Sequence, residues 1–308
     1  EQGVTEIDYL ISSHYDADHM AGLIGCLNVF DVKNVISSNY VHTSKLYKSF
    51  VGLVDEIRPK VFVMENVPGL IRLFGGKVKE QVLYDFSSLG YRVKVQQLSS
   101  DDYGVPQQRK RVFFVGVNEK KIPSNVKFEF PKAEYGDGKK PYITCKEAIS
   151  DLDFVPDDVS LGENIAYKIP ALSEYQNLMR KDSDSIKNHS ITIHKEQTKK
   201  IIAMVPDGGN YKDLPIELQN TRKVHIAWTR MNSEKPCFTI DTGHNHHFHY
   251  KENRVPTVRE SARIQSFPDR FEFIGIKTSQ LKQVGNAVPP LMAKAIAEEV
   301  IKVIGDAK

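Results

Sequence analysis

The stretch Lys60-Val61-Phe62-Val63-Met64-Glu65-Asn66-Val67-Pro68-Gly69 decides how the rest of the chain is read. Pro59 stops any preceding helix, and the apolar run Val61 to Met64 predicts a buried strand of a parallel sheet. Sheets of that kind place their chemistry at the carboxyl ends of the strands, where Glu65 and Asn66 stand before a Pro-Gly turn. A lone carboxylate in that position is as readily a solvated turn residue, so the flanking sequence has to choose between the two.

Outward from this run, the pattern is one of alternating helices and strands. Leu46, Phe50, Leu53, Val54 and Ile57 recur at helical spacing up to Pro59; Val78, Val82, Phe86 and Leu89 mark a second helix closed by Gly90. Tyr91 to Leu98 and Val112 to Val117 supply two more strands, and the alternation predicts a doubly wound α/β sheet. Residues 257 to 267 predict another helix, with Thr257 as N-cap and Glu260 completing a capping box. Gly285 to Pro290 predicts a tight loop feeding a helix whose apolar face holds Leu291, Ala295, Val300 and Val303.

Polar blocks sit beside these elements in a fixed order. Glu65-Asn66-Val67-Pro68 is followed by Tyr103-Gly104-Val105-Pro106-Gln107-Gln108-Arg109-Lys110-Arg111, then Arg259-Glu260-Ser261-Ala262-Arg263-Ile264-Gln265-Ser266-Phe267-Pro268-Asp269, then Gln283-Val284-Gly285-Asn286-Ala287-Val288-Pro289-Pro290. Over about residues 46 to 308 this series resembles the later motifs of DNA cytosine-5 methyltransferases. The resemblance implies an α/β fold: an incomplete doubly wound sheet of the S-adenosylmethionine methyltransferase kind with a smaller target-recognition lobe. It divides the chain into a catalytic domain over 46–141, a target-recognition domain over 142–253 and a return to the catalytic domain over 254–308.

Methylation at carbon 5 of cytosine proceeds by thiolate addition at carbon 6, which is eased when ring nitrogen 3 is protonated or strongly hydrogen-bonded. A carboxyl whose pKa is raised by desolvation suits that donation, and the resemblance assigns it to Glu65. The alternate spacing of Arg109 and Arg111 on an extended segment puts both guanidinium groups on one face, able to hold the cytosine oxygen, the Glu65 carboxylate or a phosphate. Asn66 and Asn286 are the implied S-adenosylmethionine contacts, and duplex DNA with a flipped base is the implied substrate. Which residues of 142–253 would touch bases is not legible in the sequence.

The first part of the chain departs from the pattern. The family opens with a glycine-rich cofactor turn and a Pro-Cys loop carrying the nucleophile, and neither occurs before Glu65. Cys26 stands 65 − 26 = 39 residues ahead of Glu65, but its setting, Leu23-Ile24-Gly25-Cys26-Leu27-Asn28-Val29-Phe30, is that of a buried, unreactive thiol. Instead, the strand-like Ile7 to Ser13 leads into His14-Tyr15-Asp16-Ala17-Asp18-His19, which resembles the metal motif of competence-type metallo-β-lactamase-fold hydrolases. That resemblance implies a β-α-β fragment over 1–45, with His14, Asp16, Asp18 and His19 as part of a divalent metal site. The join falls between about His42 and Val51.

Charge divides at the same place: residues 1 to 45 carry two basic and six acidic side chains, residues 46 to 308 forty and thirty-three. The basic part is the one expected to meet DNA. A second histidine cluster, His244-Asn245-His246-His247-Phe248-His249, reads as a polar loop, because alternation sends His244 and His246 to one face and His247 and His249 to the other. Three cysteines suggest no disulfide framework, and no apolar run approaches a membrane span. The expectation is a cytoplasmic bacterial or phage protein of restriction-modification type, inactive alone, with a separate chain supplying the missing half. The alternatives are a metal-dependent hydrolase and a DNA-binding module without catalysis.

Overall fold

The computed structural model describes residues 6–7, 10–12, 31–32, 35–37, 43–153, 164–219, 228–243 and 246–306. Near the start lie four short strands, β1 (Glu6–Ile7), β2 (Leu10–Ser12), β3 (Asp31–Val32) and β4 (Val35–Ser37). β1 pairs in parallel with β3 and β2 with β4, in one register, since 31 − 6 and 35 − 10 are both 25. The residues between these strands, including His14, Asp16, Asp18, His19 and Cys26, lie outside the described residues. The expected β-α-β fragment is therefore not confirmed.

Helix α1 (Thr43–Ile57) leads to β5 (Val61–Asn66), a 3-10 segment (Pro68–Gly76), α2 (Lys77–Ser88), β6 (Tyr91–Ser99) and β7 (Lys110–Asn118). The three strands form one sheet in the order β5-β7-β6. β7 runs antiparallel to both neighbours, which corrects the expectation of an all-parallel surrounding for β5. The cause is the connection. A helix carries the chain from β5 to β6, so those two run the same way, whereas only a short loop joins β6 to β7 and the chain must double back.

Three layers result. Phe50 and Val54 from α1 and Val82 and Phe86 from α2 cluster with Phe62, Met64, Tyr91, Val112 and Phe114 on one sheet face. Phe113, Val115 and Val117 point to the other face, where Met292, Ile296 and Val303 of the C-terminal helix cover them. Phe62 fixes the register: it pairs with Gly116, and a Cβ there would lie 2.0 Å from the Phe62 ring. Glu65 pairs with Phe113 and so shares the face covered by the C-terminal helix.

The middle of the chain carries short helices, α3 (Cys145–Ile149), α4 (Glu174–Arg180), α5 (Glu196–Ala203) and α6 (Ile216–Gln219), and the parallel pair β8 (Thr229–Arg230) and β9 (His247–Phe248). Arg230 is the hub of this region. Its guanidinium donates to the carbonyls of Ile202 (2.6 Å), Val205 (2.7 Å), His249 (3.0 Å) and Glu252 (3.2 Å) and to Asn253 Oδ1 (2.9 Å). An arginine so engaged holds loops together and has nothing left for a DNA base.

Helix α7 (Val258–Ile264) has the expected capping box, with Glu260 N–H donating to Thr257 Oγ1 and Thr257 N–H to Glu260 Oε2. It ends earlier than the predicted 267, at a turn where Ser266 adopts φ of 66°. All of its residues are buried. Two more helices follow, α8 (Lys277–Asn286) and α9 (Pro290–Gly305). Gly285 and Asn286 thus end a helix that the sequence did not signal rather than forming only a loop. Gly285 is required there: a Cβ would lie 2.4 Å from the Asp241 carbonyl oxygen.

Candidate active site

Antiparallel register explains how Glu65 meets its partner. Opposite Glu65 is Phe113; two residues back on the same face of β7 is Arg111, the diagonal neighbour. Arg111 Nε stands 2.8 Å from Glu65 Oε1, with the two side chains 14% and 23% exposed. Burial raises the Glu65 pKa, and the charges of Arg111 and then Arg109 oppose the rise without cancelling it. The result is a carboxyl that takes up a proton more readily than an ordinary glutamate does while held beside two cations.

Arg109 is the unusual member. Only 1% of it is exposed, yet its Nε and Nη2 have no hydrogen-bond partner. Its backbone is fixed: Arg109 N–H donates to Ser100 Oγ (3.1 Å), and Ser100 N–H donates to the Arg109 carbonyl (3.0 Å). Burial, reinforced by the like charge of Arg111, pushes its pKa down to about 9, with Glu65 pulling the other way; it stays protonated at neutral pH. A buried guanidinium with unmade hydrogen bonds is costly, which sets Arg109 apart from the fully engaged Arg230.

Asn66 Oδ1 accepts from Val67 N–H at 2.9 Å, which fixes the turn after β5. Asn286 is half-buried at the end of α8, across the Gly285 contact with Asp241. These amides suit a polar cofactor, but the described residues include no glycine-rich strand-to-helix turn to complete a cradle for S-adenosylmethionine. The two cysteines among the described residues, Cys145 and Cys237, are buried together in one apolar cluster. Burial, with Cys145 alongside, pushes the Cys237 thiol well up, so it is no nucleophile.

The arginine segment is clamped from the side of the middle region. Gln107 is fully buried; its Oε1 accepts from Ile240 N–H (3.0 Å), and its Nε2 donates to Gln265 Oε1. Gln265 Nε2 in turn donates to the Ala287 carbonyl at 2.6 Å. Pro106 to Gln108 also zip onto Cys237 through backbone bonds of 2.9 and 2.7 Å. Sequence reasoning missed these glutamines, because a polar side chain in a polar loop carries no burial signal.

The histidines also depart from expectation. Adjacent His246 and His247 both turn to Asp241, at 3.7 and 3.8 Å, and His247 packs on the Phe238 ring, while His249 is buried apart from them near Glu260 and Asp153. Among the described residues no set of three or more His, Cys, Asp or Glu side chains could hold a metal ion. Among them, too, no helix is long and apolar enough to cross a membrane.

Comparison with known proteins gives the family and the fold. The sequence matches the family described as C-5 cytosine-specific DNA methylase over residues 38–302. Type II methyltransferase M1.HphI of Haemophilus parahaemolyticus is 35% identical over 283 residues, covering 92% of this chain and 65% of that protein. Type II methyltransferase M.NgoFVII of Neisseria gonorrhoeae is 33% identical over 270 residues, covering 85% and 63%. The chain thus spans somewhat less than two thirds of the length of these relatives. A crystal structure described as a DNA modification methyltransferase encoded within prophage Cp (E. coli) matches with TM-score 0.68 at 20% identity over 97% of this chain and 93% of that one, a likeness of fold. Neither these matches nor the described strands support the metallo-β-lactamase resemblance of the first 45 residues. The chain belongs to the C-5 cytosine-specific DNA methylase family.

Proposed function

We propose that this chain carries the cytosine-protonating and target-recognition part of a DNA cytosine-5 methyltransferase of restriction-modification type, acting on duplex DNA. The observation that carries the proposal is Arg109: a buried guanidinium with unpartnered Nε and Nη2 beside the Glu65–Arg111 pair. A flipped cytosine nucleotide offers what that arginine lacks, an oxygen acceptor on the ring or its phosphate. Glu65, with its pKa raised, gives a proton to ring nitrogen 3, and Arg111 holds the carboxylate that remains. The type II relatives support the restriction-modification context.

S-adenosylmethionine supplies the methyl group in this family, with Asn66 and Asn286 as the assigned contacts in this chain. The described residues hold no candidate for the thiolate, Cys145 and Cys237 being buried, and we expect the 308 residues alone not to methylate DNA. The setting is bacterial or phage cytoplasm.

Incubation with duplex DNA and labelled S-adenosylmethionine over a salt series tests both parts. The expected outcome is DNA binding that weakens steeply with salt and no methyl transfer. Transfer abolished by Cys26→Ser would place the nucleophile in this chain. Absence of DNA binding at low salt would remove the substrate assignment.

A further inference from the structure

We infer that Gln107 and Gln265 are positioning residues, a buried amide relay that ties the segment 237–241 to the arginines beside Glu65. This rests on the proposed function, under which the relay passes the seating of recognition loops on DNA to the groups that hold the base.

The relay joins three places far apart in sequence. Ile240 N–H donates to Gln107, Gln107 to Gln265, and Gln265 to the Ala287 carbonyl at the loop leading into α9. Both glutamines are fully buried, so each bond lies in surroundings where an unmade partner is costly. Alongside, Thr239 Oγ1 donates to the Gln108 carbonyl at 2.9 Å, and Leu291 N–H donates to Ser266 Oγ at 3.2 Å. Segment 237–241 and the start of α9 are therefore both fastened to the residues flanking Gln107 and Gln265.

From Gln107 the link to the site is short. The Gln107 carbonyl accepts from Ser100 Oγ at 2.5 Å, and the same hydroxyl accepts from Arg109 N–H at 3.1 Å. One serine thus pins Gln107 to Arg109, and Arg111 follows on the same face of β7. Shift Gln107, and Arg109 and Arg111 move with it relative to Glu65, which stands on a different strand. Neither glutamine contacts Glu65, so an effect on that carboxyl travels through the arginines.

The test is a carboxyl-carbon NMR titration of Glu65 in the full chain, assigned by the signal lost in Glu65→Gln. Arg111 and Arg109 hold the Glu65 pKa down against burial, so loosening them raises it. We expect Gln107→Met and Gln265→Met each to raise the midpoint by about half a pH unit or more, and the double variant to go no further than the larger single. Gln265→Met, which leaves Gln107 and its bond from Ile240 N–H in place, carries the comparison if Gln107→Met does not fold. A Glu65 midpoint that stays put or falls in folded variants, even with a lowered melting temperature, overturns the relay. Duplex DNA binding by the wild-type chain is measured alongside; its absence strikes the function and leaves the titration result for the relay intact.

Discussion

Two regions of this molecule bury arginine, and they do so in opposite ways. On α7, Arg263 is fully buried and donates to Asp269 Oδ1 and Oδ2 (both 2.6 Å), Asp151 Oδ1 and Oδ2 (3.0 and 3.2 Å) and the Ala148 carbonyl (3.1 Å). Arg259 likewise reaches the carbonyls of Lys187 (2.9 Å), Pro268 (3.2 Å) and Phe271 (2.5 Å). At the head of β7, Arg109 is as deeply buried with two nitrogens unengaged. A satisfied buried charge organises structure; an unsatisfied one calls for another explanation, and under the proposed function that explanation is the substrate.

The contrast makes predictions. Arg263→Met leaves Asp151 and Asp269 buried without their main cation and is expected to destabilise the fold by about 3–5 kcal/mol in chemical denaturation. A loss below about 1 kcal/mol would erase the distinction between the two regions.

His249 sharpens the same point through pH. It is buried against Glu260, Asp153, Arg254 and Arg230, stacks on Tyr250, and accepts from the N–H groups of Lys251 (3.1 Å) and Glu252 (3.0 Å). Burial pushes its pKa down to about 4 from 6.5. A depressed value means the fold binds the proton less well than the unfolded chain, so its stabilising effect is complete above pH 6.5 and is lost as pH falls towards 4. The loss should reach up to about 3 kcal/mol at the acid end, and His249→Asn should flatten the stability profile in that window. An unchanged profile would mean that other groups carry the acid limb.

Gly285→Ala tests the packing that joins α8 to the segment leading from Ile240. Its Cβ would meet backbone, which cannot swing aside, and about 1–3 kcal/mol of stability should go, read from the thermal midpoint. Arg109→Met closes the series with the smallest effect. Removing a charge that lacks hydrogen-bond partners should change stability by less than about 1 kcal/mol or even raise it. A cost as large as that of Arg263→Met would make Arg109 a structural arginine after all.

What was legible in the sequence follows the range of the interactions. The helices ending at Pro59 and Gly90, the strand Val61–Asn66 and the Thr257 capping box are local, and local periodicity and capping residues announce them. The reversal of β7 is set by a connection too short for a crossover, which the apolar runs do not encode. Helix α8 was hidden because Lys277 to Asn286 offers only Leu281 and Val284 as apolar positions, too few for a helical stripe. Arg263 and Asp151 are 112 residues apart, and Gln107 and Gln265 are 158 apart. Their pairings arise from tertiary packing. The order of polar blocks around Glu65 pointed to the candidate site, while the contrast between Arg109 and its satisfied counterparts appears only in the folded chain.

The most direct test is the affinity of Arg109→Met for duplex DNA, measured beside the wild-type chain at one fixed salt concentration with the folded fraction of each checked by denaturation. If Arg109 awaits the substrate, binding weakens about tenfold or more while stability stays within about 1 kcal/mol of wild type. Unchanged affinity in an equally stable variant would contradict the assignment of this site to DNA.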